Sequence, residues 1–208
     1  STSSGGANYY SNMDKYVPSG NTNDYQGRSW NSCYRSASLA NEIVFLTSED
    51  PEMVNITAIA QIMKILNIQY VTDMYGDCPY AEALQAKTGK TLPVYDDQQS
   101  LYMALLSDLD AAVGSLDDAK ATPTADLIYG GDIAKWRKFG YSLMLRMAMR
   151  LTKADVATAK TYAEKAAAGG TFASAEDDAY ILCDNANGYR NDYARDFTTA
   201  ADFYQVRW

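Results

Sequence analysis

The N-terminal region of the chain mixes aromatic side chains with short amides and carboxylates. Tyr16, Tyr25 and Trp30 are interleaved there with Asn23 and Asp24. An aromatic ring can stack on the apolar face of a pyranose, and amides or carboxylates can hydrogen-bond to its hydroxyl groups. These five residues are therefore candidate sugar contacts. The same composition is also typical of loops that bind nothing, because short polar side chains favour turns.

A further candidate lies in a turn later in the chain, within the segment YVTDMYGDCPYAEA at 70–83. Tyr80 is the candidate sugar contact in this turn. Together with Tyr75 and Tyr95 it would form a stacking platform if the three rings were exposed. We expect most of these rings to be buried, because an exposed aromatic cluster is unfavourable unless it serves binding.

Three carboxylates, those of Asp73, Asp77 and Glu82, flank the same turn. Clustered carboxylates can bind Ca²⁺ or act as an acid and base pair. Their spacing matches neither the EF-hand loop nor another known motif. The favoured interpretation is structural, with Asp77 capping the turn through its side-chain oxygen.

The composition excludes several classes of function. The 208 residues include no histidine, which rules out Ser-His-Asp, Cys-His and His-based zinc chemistry within the chain. The net charge of −8 and the pI near 4.5 argue against nucleic-acid binding, which needs clustered Lys and Arg. No catalytic residue, metal site or cofactor is predicted. Cys33, Cys78 and Cys183 allow either one disulfide or three free thiols.

Helical periodicity dominates the middle of the chain. We predict a single all-α domain with a loop or tether at 1–27, a helical core at 28–168 and a loop-rich end at 169–208. The expected architecture is a scaffold of helical hairpins, similar to tetratricopeptide units, with long irregular loops between the helices.

One helix is predicted directly before the turn that carries Tyr80. Asp50 and Pro51 are typical of a helix start, because Asp caps the first amides and Pro tolerates the first helical position. The helix should end near Tyr75, with Gly76 as its cap. An irregular stretch at 76–97 follows.

The remaining helices are predicted at 98–116 and in a hairpin at 132–168, with Asp132 as an N-cap. The first helix of the hairpin has an apolar stripe and the second an alanine face, which is a degenerate tetratricopeptide pattern. The stripe comprises Trp136, Phe139, Leu143, Met144, Met147 and Leu151. The pattern does not repeat at a fixed period, so an ordinary helical hairpin is the alternative.

Two blocks of sequence resemble the signatures of one protein family. They are the turn at 70–83 and the block DLIYGGDIAKWRKFGYSLMLRMAMR at 126–150. Both are similar to blocks of the SusD/RagB-like nutrient-binding lipoproteins of the bacterial outer membrane, in the SusD-like branch. The likeness extends from about Trp30 to Tyr180. One departure is Cys78, where the family often has a small apolar residue.

The resemblance implies a binding protein with a helical scaffold and not an enzyme. Members of this family are lipid-anchored at the outer face of the outer membrane, where they capture glycans or other nutrients. They cover a TonB-dependent, SusC-like transporter. They are typically about twice as long or longer, so the resemblance implies that this chain is an N-terminal part without the lipidated cysteine. No ligand contact carries over, because much of the family's site lies in later segments.

Two other functions stay open at this stage. A tetratricopeptide-type scaffold would bind peptides in a helical groove, and further repeats at a matching period would favour it. A glycoside hydrolase with two carboxylates is compatible with the lack of histidine, but no carboxylate pair here has a recognisable setting. Glycan or nutrient capture is therefore the predicted function.

Overall fold

The structure is a computed structural model that describes residues 20–184 together with 186, 188 and 191. For residues 20–26 it describes only the backbone, and from residue 27 onward it describes the side chains as well. Its described part contains five α-helices and no strand, which confirms the predicted all-α class. The helices are α1 (Gly20–Thr47), α2 (Val54–Tyr75), α3 (Gln98–Gly114), α4 (Ile133–Arg150) and α5 (Val156–Gly169). Short 3₁₀ turns lie at Pro51–Met53, Ala86–Thr88 and Ala175–Asp177. Across the described residues, no helix has both the length and the hydropathy that a membrane crossing requires.

The contacts within the chain divide it into two compact units. The larger unit is Ser29–Ala179 and contains most of α1 and all of α2 to α5. The smaller unit comprises Ser1–Arg28 and Tyr180–Trp208, and its described part includes the first turns of α1. The candidate sites described below lie within the larger unit. The single domain over 1–208 stays a prediction.

Helix α1 begins earlier than the sequence predicts. It starts at Gly20, inside the region expected to be a loop until residue 27, so that expectation is wrong for the last part of the region. The prediction relied on apolar periodicity, and the segment GNTNDYQG at 20–27 has none. Extending an existing helix adds one hydrogen bond for each residue fixed, so a polar segment can continue a helix that is anchored further along.

Side-chain caps confirm the predicted helix starts at Asp50 and Asp132. Asp50 accepts a hydrogen bond from the Glu52 N–H at 2.9 Å and caps the 3₁₀ turn Pro51–Met53, which leads into α2 without a further side-chain cap. Asp132 accepts one from the Lys135 N–H at 3.0 Å. Each carboxylate satisfies an amide that has no partner within its helix. These caps fix where the helices begin and so fix which residues face the core.

Consecutive helices pack against each other from α2 to α5, and α2 also contacts α4. The fully buried side chains between them include Ile62, Ile65, Leu105, Leu109, Met144 and Met147. The predicted apolar stripe of α4 faces this core, with Phe139 partly buried beside it. Helices α3 and α4 approach each other closely at Gly140, where an added Cβ would lie 2.2 Å from the Val113 Cγ2. The helical hairpin predicted at 132–168 is therefore present as α4 and α5.

All three cysteines are free thiols. Cys78 is buried, Cys33 is partly buried and Cys183 is exposed. Burial raises the pKa of the Cys33 and Cys78 thiols. The structure therefore supports the alternative of three thiols over the alternative with one disulfide.

Candidate functional site

Four aromatic side chains from three separate segments meet at one place in the larger unit. The ring centroid of Trp30 on α1 lies 4.8 Å from that of Tyr34, 5.3 Å from that of Tyr75 and 6.2 Å from that of Tyr95. Tyr75 is the last residue of α2, and Tyr95 lies in the loop before α3. These four residues are referred to below as the aromatic cluster.

The aromatic cluster is open to solvent. Tyr95 is 64 % exposed and Tyr75 is 37 % exposed, so the expectation of buried rings is wrong for both. Trp30 and Tyr34 are partly buried. The ring planes of Trp30 and Tyr95 lie within 22° of each other, whereas Tyr75 meets Trp30 edge-on at 88°. Because aromatic pairs in these geometries gain about 0.5–1.5 kcal/mol beyond area burial, their mutual contact offsets part of the cost of exposure.

The loop that carries Tyr95 is held in register by the turn after α2. Cys78 and Asp96 exchange backbone hydrogen bonds in both directions, each at 3.2 Å. The carboxylate of Asp96 also accepts the N–H groups of Tyr80 at 2.7 Å and Ala81 at 3.0 Å. Tyr95 directly precedes this bridge, so its position relative to the end of α2 is fixed.

Asp77 and Glu82, two of the carboxylates considered as a calcium or acid–base site, each stabilise a separate part of the loop. Asp77 accepts the N–H of Gln98, the first residue of α3, at 2.9 Å, so its role is structural, although the amide that it caps belongs to α3 and not to its own turn. Glu82 binds Lys90 and accepts the Val94 N–H at 3.1 Å. The hydrogen bonds from Lys90 and Val94 lower the pKa of Glu82. Among the described residues, no three His, Cys, Asp or Glu side chains lie where they could hold a metal ion.

Tyr34 joins helix α1 to this turn. Its hydroxyl donates a hydrogen bond to the carbonyl of Pro79 at 2.6 Å. Burial, and then the neighbouring Cys78, raise the pKa of Tyr34, so the phenol keeps the proton that it donates. The contact therefore fixes the α1 side of the aromatic cluster, with Trp30, relative to the loop that carries Tyr95.

Tyr80 has different surroundings from the aromatic cluster. Its hydroxyl donates to Asp108 on α3 at 2.5 Å, and the Lys64 Nζ lies 5.5 Å from its ring centroid. Burial, and then the bond to Asp108, raise the pKa of Tyr80. The side chain fastens the turn to α2 and α3. Its role as a sugar contact stays a prediction that this placement does not favour.

The other predicted contacts are placed unevenly. Trp30 lies at the centre of the aromatic cluster. Tyr16 lies outside the described residues. Asn23, Asp24 and Tyr25 belong to the first turns of α1, but their side chains lie outside the described part. Their roles as sugar contacts stay predictions.

Sequence reasoning missed the connection between Trp30 and the later tyrosines. Tyr75 and Tyr95 were recognisable as a conditional platform because they flank the Gly- and Pro-containing turn. Tyr34 is not among the predicted sugar contacts. The proximity of Trp30, Tyr75 and Tyr95 depends on the pair of backbone hydrogen bonds between Cys78 and Asp96. Such a pairing leaves no local pattern in the sequence.

One family profile matches nearly the whole chain. It is that of the SusD-like family, described as "Starch-binding associating with outer membrane", and it matches residues 4–206. The chain belongs to the SusD-like family. The resemblance of the two sequence blocks is thereby confirmed, and the helical scaffold is the one expected of a SusD homologue.

Solved structures of SusD homologues are similar to this chain. A chitin-binding protein is 36 % identical with a TM-score of 0.69, over 74 % of this chain and 34 % of that one. A SusD-like protein of Bacteroidetes AC2a is 36 % identical with a TM-score of 0.67, over 74 % and 28 %. A chitin-binding SusD homolog from Flavobacterium johnsoniae is 28 % identical with a TM-score of 0.66, over 74 % and 33 %. The aligned region is therefore about a third of each relative's length. No curated protein sequence matches the chain.

Proposed function

We propose that this SusD homologue binds a glycan and that the aromatic cluster contacts the sugar rings. The observation that carries the proposal is the meeting of Trp30, Tyr75 and Tyr95, with Tyr95 64 % exposed. Ring faces of this kind can stack on the apolar faces of pyranoses. The family description and the names of the two chitin-binding relatives support a glycan as the ligand.

The hydrogen bonds that position the loop favour binding by this surface. Tyr95 is held by the exchange of backbone hydrogen bonds at Asp96, and Trp30 is held through its neighbour Tyr34. A surface that is already ordered loses less conformational entropy when a ligand binds. The affinity for one sugar unit should still be modest, because hydroxyl contacts mostly replace contacts with water. A chain of several sugar units is therefore the expected ligand.

We infer that the chain binds the glycan without hydrolysing it. Hydrolysis needs two carboxyl groups that flank the scissile bond, one of which must donate a proton. The carboxylates near the aromatic cluster already serve the fold. Asp96 accepts two backbone amides, and Asp77 and Glu82 each accept one. The family description as starch-binding supports the same inference.

We also infer a place for the whole protein at the outer face of the outer membrane, held by an N-terminal lipid anchor. There it would pass the captured glycan to a TonB-dependent, SusC-like transporter. The support for this inference is the family description "associating with outer membrane". Co-purification of such a transporter with the lipidated protein from outer membranes is the direct test.

Affinity electrophoresis in gels that contain soluble starch or glycol chitin tests the binding function. We expect Trp30→Ala and Tyr95→Ala each to raise the apparent dissociation constant about tenfold, which appears as weaker retardation in the gel. Tenfold corresponds to ~1.4 kcal/mol, as expected for a lost stacking contact. Tyr70→Ala is the matched control, because Tyr70 is a tyrosine of the same unit, is 52 % exposed and does not belong to the aromatic cluster. Equal retardation of all three variants would contradict the assignment of the site. Release of reducing sugar by the chain would contradict a purely binding role.

A further inference from the structure

A cavity lies in the larger unit, where the ends of α2 and α4 meet the starts of α3 and α5. This cleft has a volume of about 340 Å³. Ligand pockets of proteins are commonly about 300–1,000 Å³, so the cleft has the size for one small ligand. We propose that it binds a single neutral sugar ring, at a site separate from the aromatic cluster and independent of it.

The base of the cleft is a fixed polar network. The Asp73 carboxylate accepts hydrogen bonds from the Gln69 amide and the Tyr102 hydroxyl, and it pairs with the Arg150 Nε at 3.1 Å. Gln69 is 1 % exposed and also accepts a hydrogen bond from Arg146. Burial, and then the bond to Asp73, raise the pKa of Tyr102, which keeps its proton. The acceptor and donor atoms of the base are therefore held in place before any ligand arrives.

The rim of the cleft offers hydrogen-bond donors that the described part of the protein does not use. Arg150 engages Asp73 through its Nε, which leaves its two terminal nitrogens as donors. Gln99 is exposed at the rim, and its side-chain amide can both donate and accept. Hydroxyl groups of a sugar also donate and accept, so both residues can bind the same ring.

The lining of the cleft also includes apolar side chains, those of Met103, Leu151 and Ala154. A pyranose presents hydroxyl groups at its edge and C–H groups on its face, so a cleft lined by both polar and apolar groups suits it. A neutral ring fits better than an acidic one. Arg150 is already paired with Asp73, and the Asp155 carboxylate, which accepts from the Thr158 N–H at 3.0 Å, adds negative charge beside the cleft.

The cleft and the aromatic cluster lie on different sides of α2. Asp73 lines the cleft and Tyr75 belongs to the aromatic cluster. Residues two apart on an α-helix do not face each other, because they are separated by more than half a turn. A ligand in the cleft therefore contacts other residues than a glycan stacked on Trp30 and Tyr95.

Methyl NMR of the chain labelled with ¹³C-methyl methionine tests this site directly. The probes are D-glucose, N-acetyl-D-glucosamine and D-glucuronate, each added in steps. We expect the Met103 methyl signal to shift and saturate with the two neutral sugars. The Met149 methyl group is 54 % exposed on α4 and does not line the cleft, so its signal should stay in place.

Three variants separate binding in the cleft from other effects. Gln99→Ala should weaken the Met103 response about fivefold, as expected for one lost neutral hydrogen bond. Ala154→Trp should abolish it by filling the cleft, whereas Lys153→Trp, on the same exposed turn but outside the lining, should retain it. Circular dichroism of each variant checks the fold.

Trp30→Ala should leave the Met103 response unchanged, so loss of glycan binding at the aromatic cluster and loss of the cleft site are distinguishable. No saturable shift of Met103 with any neutral sugar, or a shift that persists in Ala154→Trp, would overturn the site. Tighter binding of D-glucuronate than of D-glucose would overturn the neutral class of ligand.

Discussion

Asp126 holds the second sequence block together through one carboxylate. Its Oδ2 accepts the Trp136 Nε1–H at 2.7 Å and the Gly131 N–H at 3.0 Å, and its Oδ1 accepts the Ile128 N–H at 2.8 Å. Trp136 is 2 % exposed, so its indole N–H would be a buried donor without a partner if this carboxylate were removed. The residue that opens the block is therefore structural.

The acid stability of the fold should depend on Asp126. Burial alone would raise its pKa, but the hydrogen bonds from Trp136 and the backbone amides outweigh burial and hold the pKa below its ordinary value. Because the folded-state pKa is the lower one, the stabilisation is present above the unfolded value of about 3.9 and is lost as pH falls through the folded value. We expect Asp126→Asn to lower the Tm at pH 7. We also expect the Tm of this variant to fall less than that of the unchanged chain when the pH is lowered below about 4. Thermal unfolding by circular dichroism at a series of pH values measures both.

The control for this prediction is Asp118→Asn. The Asp118 side chain is 67 % exposed and pairs with Arg137 at the surface, where an ion pair contributes little. Its profile of Tm against pH should follow that of the unchanged chain. A profile for Asp126→Asn that follows it as well would show that the Asp126 network does not stabilise the fold.

The crossing of α3 and α4 leaves no room for a side chain at Gly140. A Cβ there would lie 2.2 Å from the Val113 Cγ2 and 3.5 Å from the Ile62 Cδ1. Alanine would gain about 1 kcal/mol in helix propensity, but overpacking of a core costs about 1–3 kcal/mol. The difference is about 0–2 kcal/mol, so we expect Gly140→Ala to lower the free energy of unfolding by about 1 kcal/mol, measured by urea denaturation.

Two further variants check that the close approach causes the loss. Val113→Ala removes the methyl group that meets the new Cβ, so the double variant should be more stable than the sum of the two single changes predicts. Gly114→Ala, at the end of α3, meets nothing within 4 Å and should be neutral or slightly stabilising. If Gly140→Ala alone kept the free energy of unfolding of the unchanged chain, the close approach of α3 and α4 at this residue would be contradicted.

Sequence patterns predicted the helices better than they predicted the site. Asp50 and Asp132 are local signals, since each acts on amides two or three residues away, and both predicted caps are confirmed. The aromatic cluster has no such signal, because Trp30, Tyr75 and Tyr95 come from segments far apart in the chain. Their meeting depends on the loop register, which is fixed by long-range backbone hydrogen bonds.

The same contrast applies to the start of α1 and to the cleft. Residues 20–27 lack apolar periodicity, so no pattern distinguished them from a loop. The cleft combines side chains from the ends of four helices, including Asp73, Gln99 and Arg150. Each of these residues is typical of an ordinary helix surface, and only packing reveals that they share a cavity.

At the scale of the whole molecule, the family blocks act mainly as scaffold, while two of the candidate ligand contacts, Trp30 and Tyr95, lie outside both blocks. The turn at 70–83 fixes the loop that carries Tyr95, and the block at 126–150 builds α4 and its capping loop. Specificity in proteins commonly depends on side chains mounted on such a shared scaffold. Differences at Trp30 or Tyr95 could therefore change the ligand without changing the fold.

The net charge of the chain gives a prediction about the class of glycan. The chain carries −8 at pH 7 and has no histidine. Stacking of a neutral glycan on the aromatic cluster brings no pair of charged groups together, so salt has little to screen. The apparent affinity of the chain for such a glycan should therefore change less than about twofold between about 0.01 M and 0.1 M salt. It should also stay constant between about pH 6 and 8, where histidine would otherwise titrate.

An acidic polysaccharide such as alginate should be repelled, and any retardation it causes should increase as salt screens the repulsion. Affinity electrophoresis with glycol chitin, starch and alginate at both salt concentrations measures these effects. Neutral-glycan binding that weakened steeply with salt would show that charged groups dominate the contact, and the aromatic cluster would then not be the principal site.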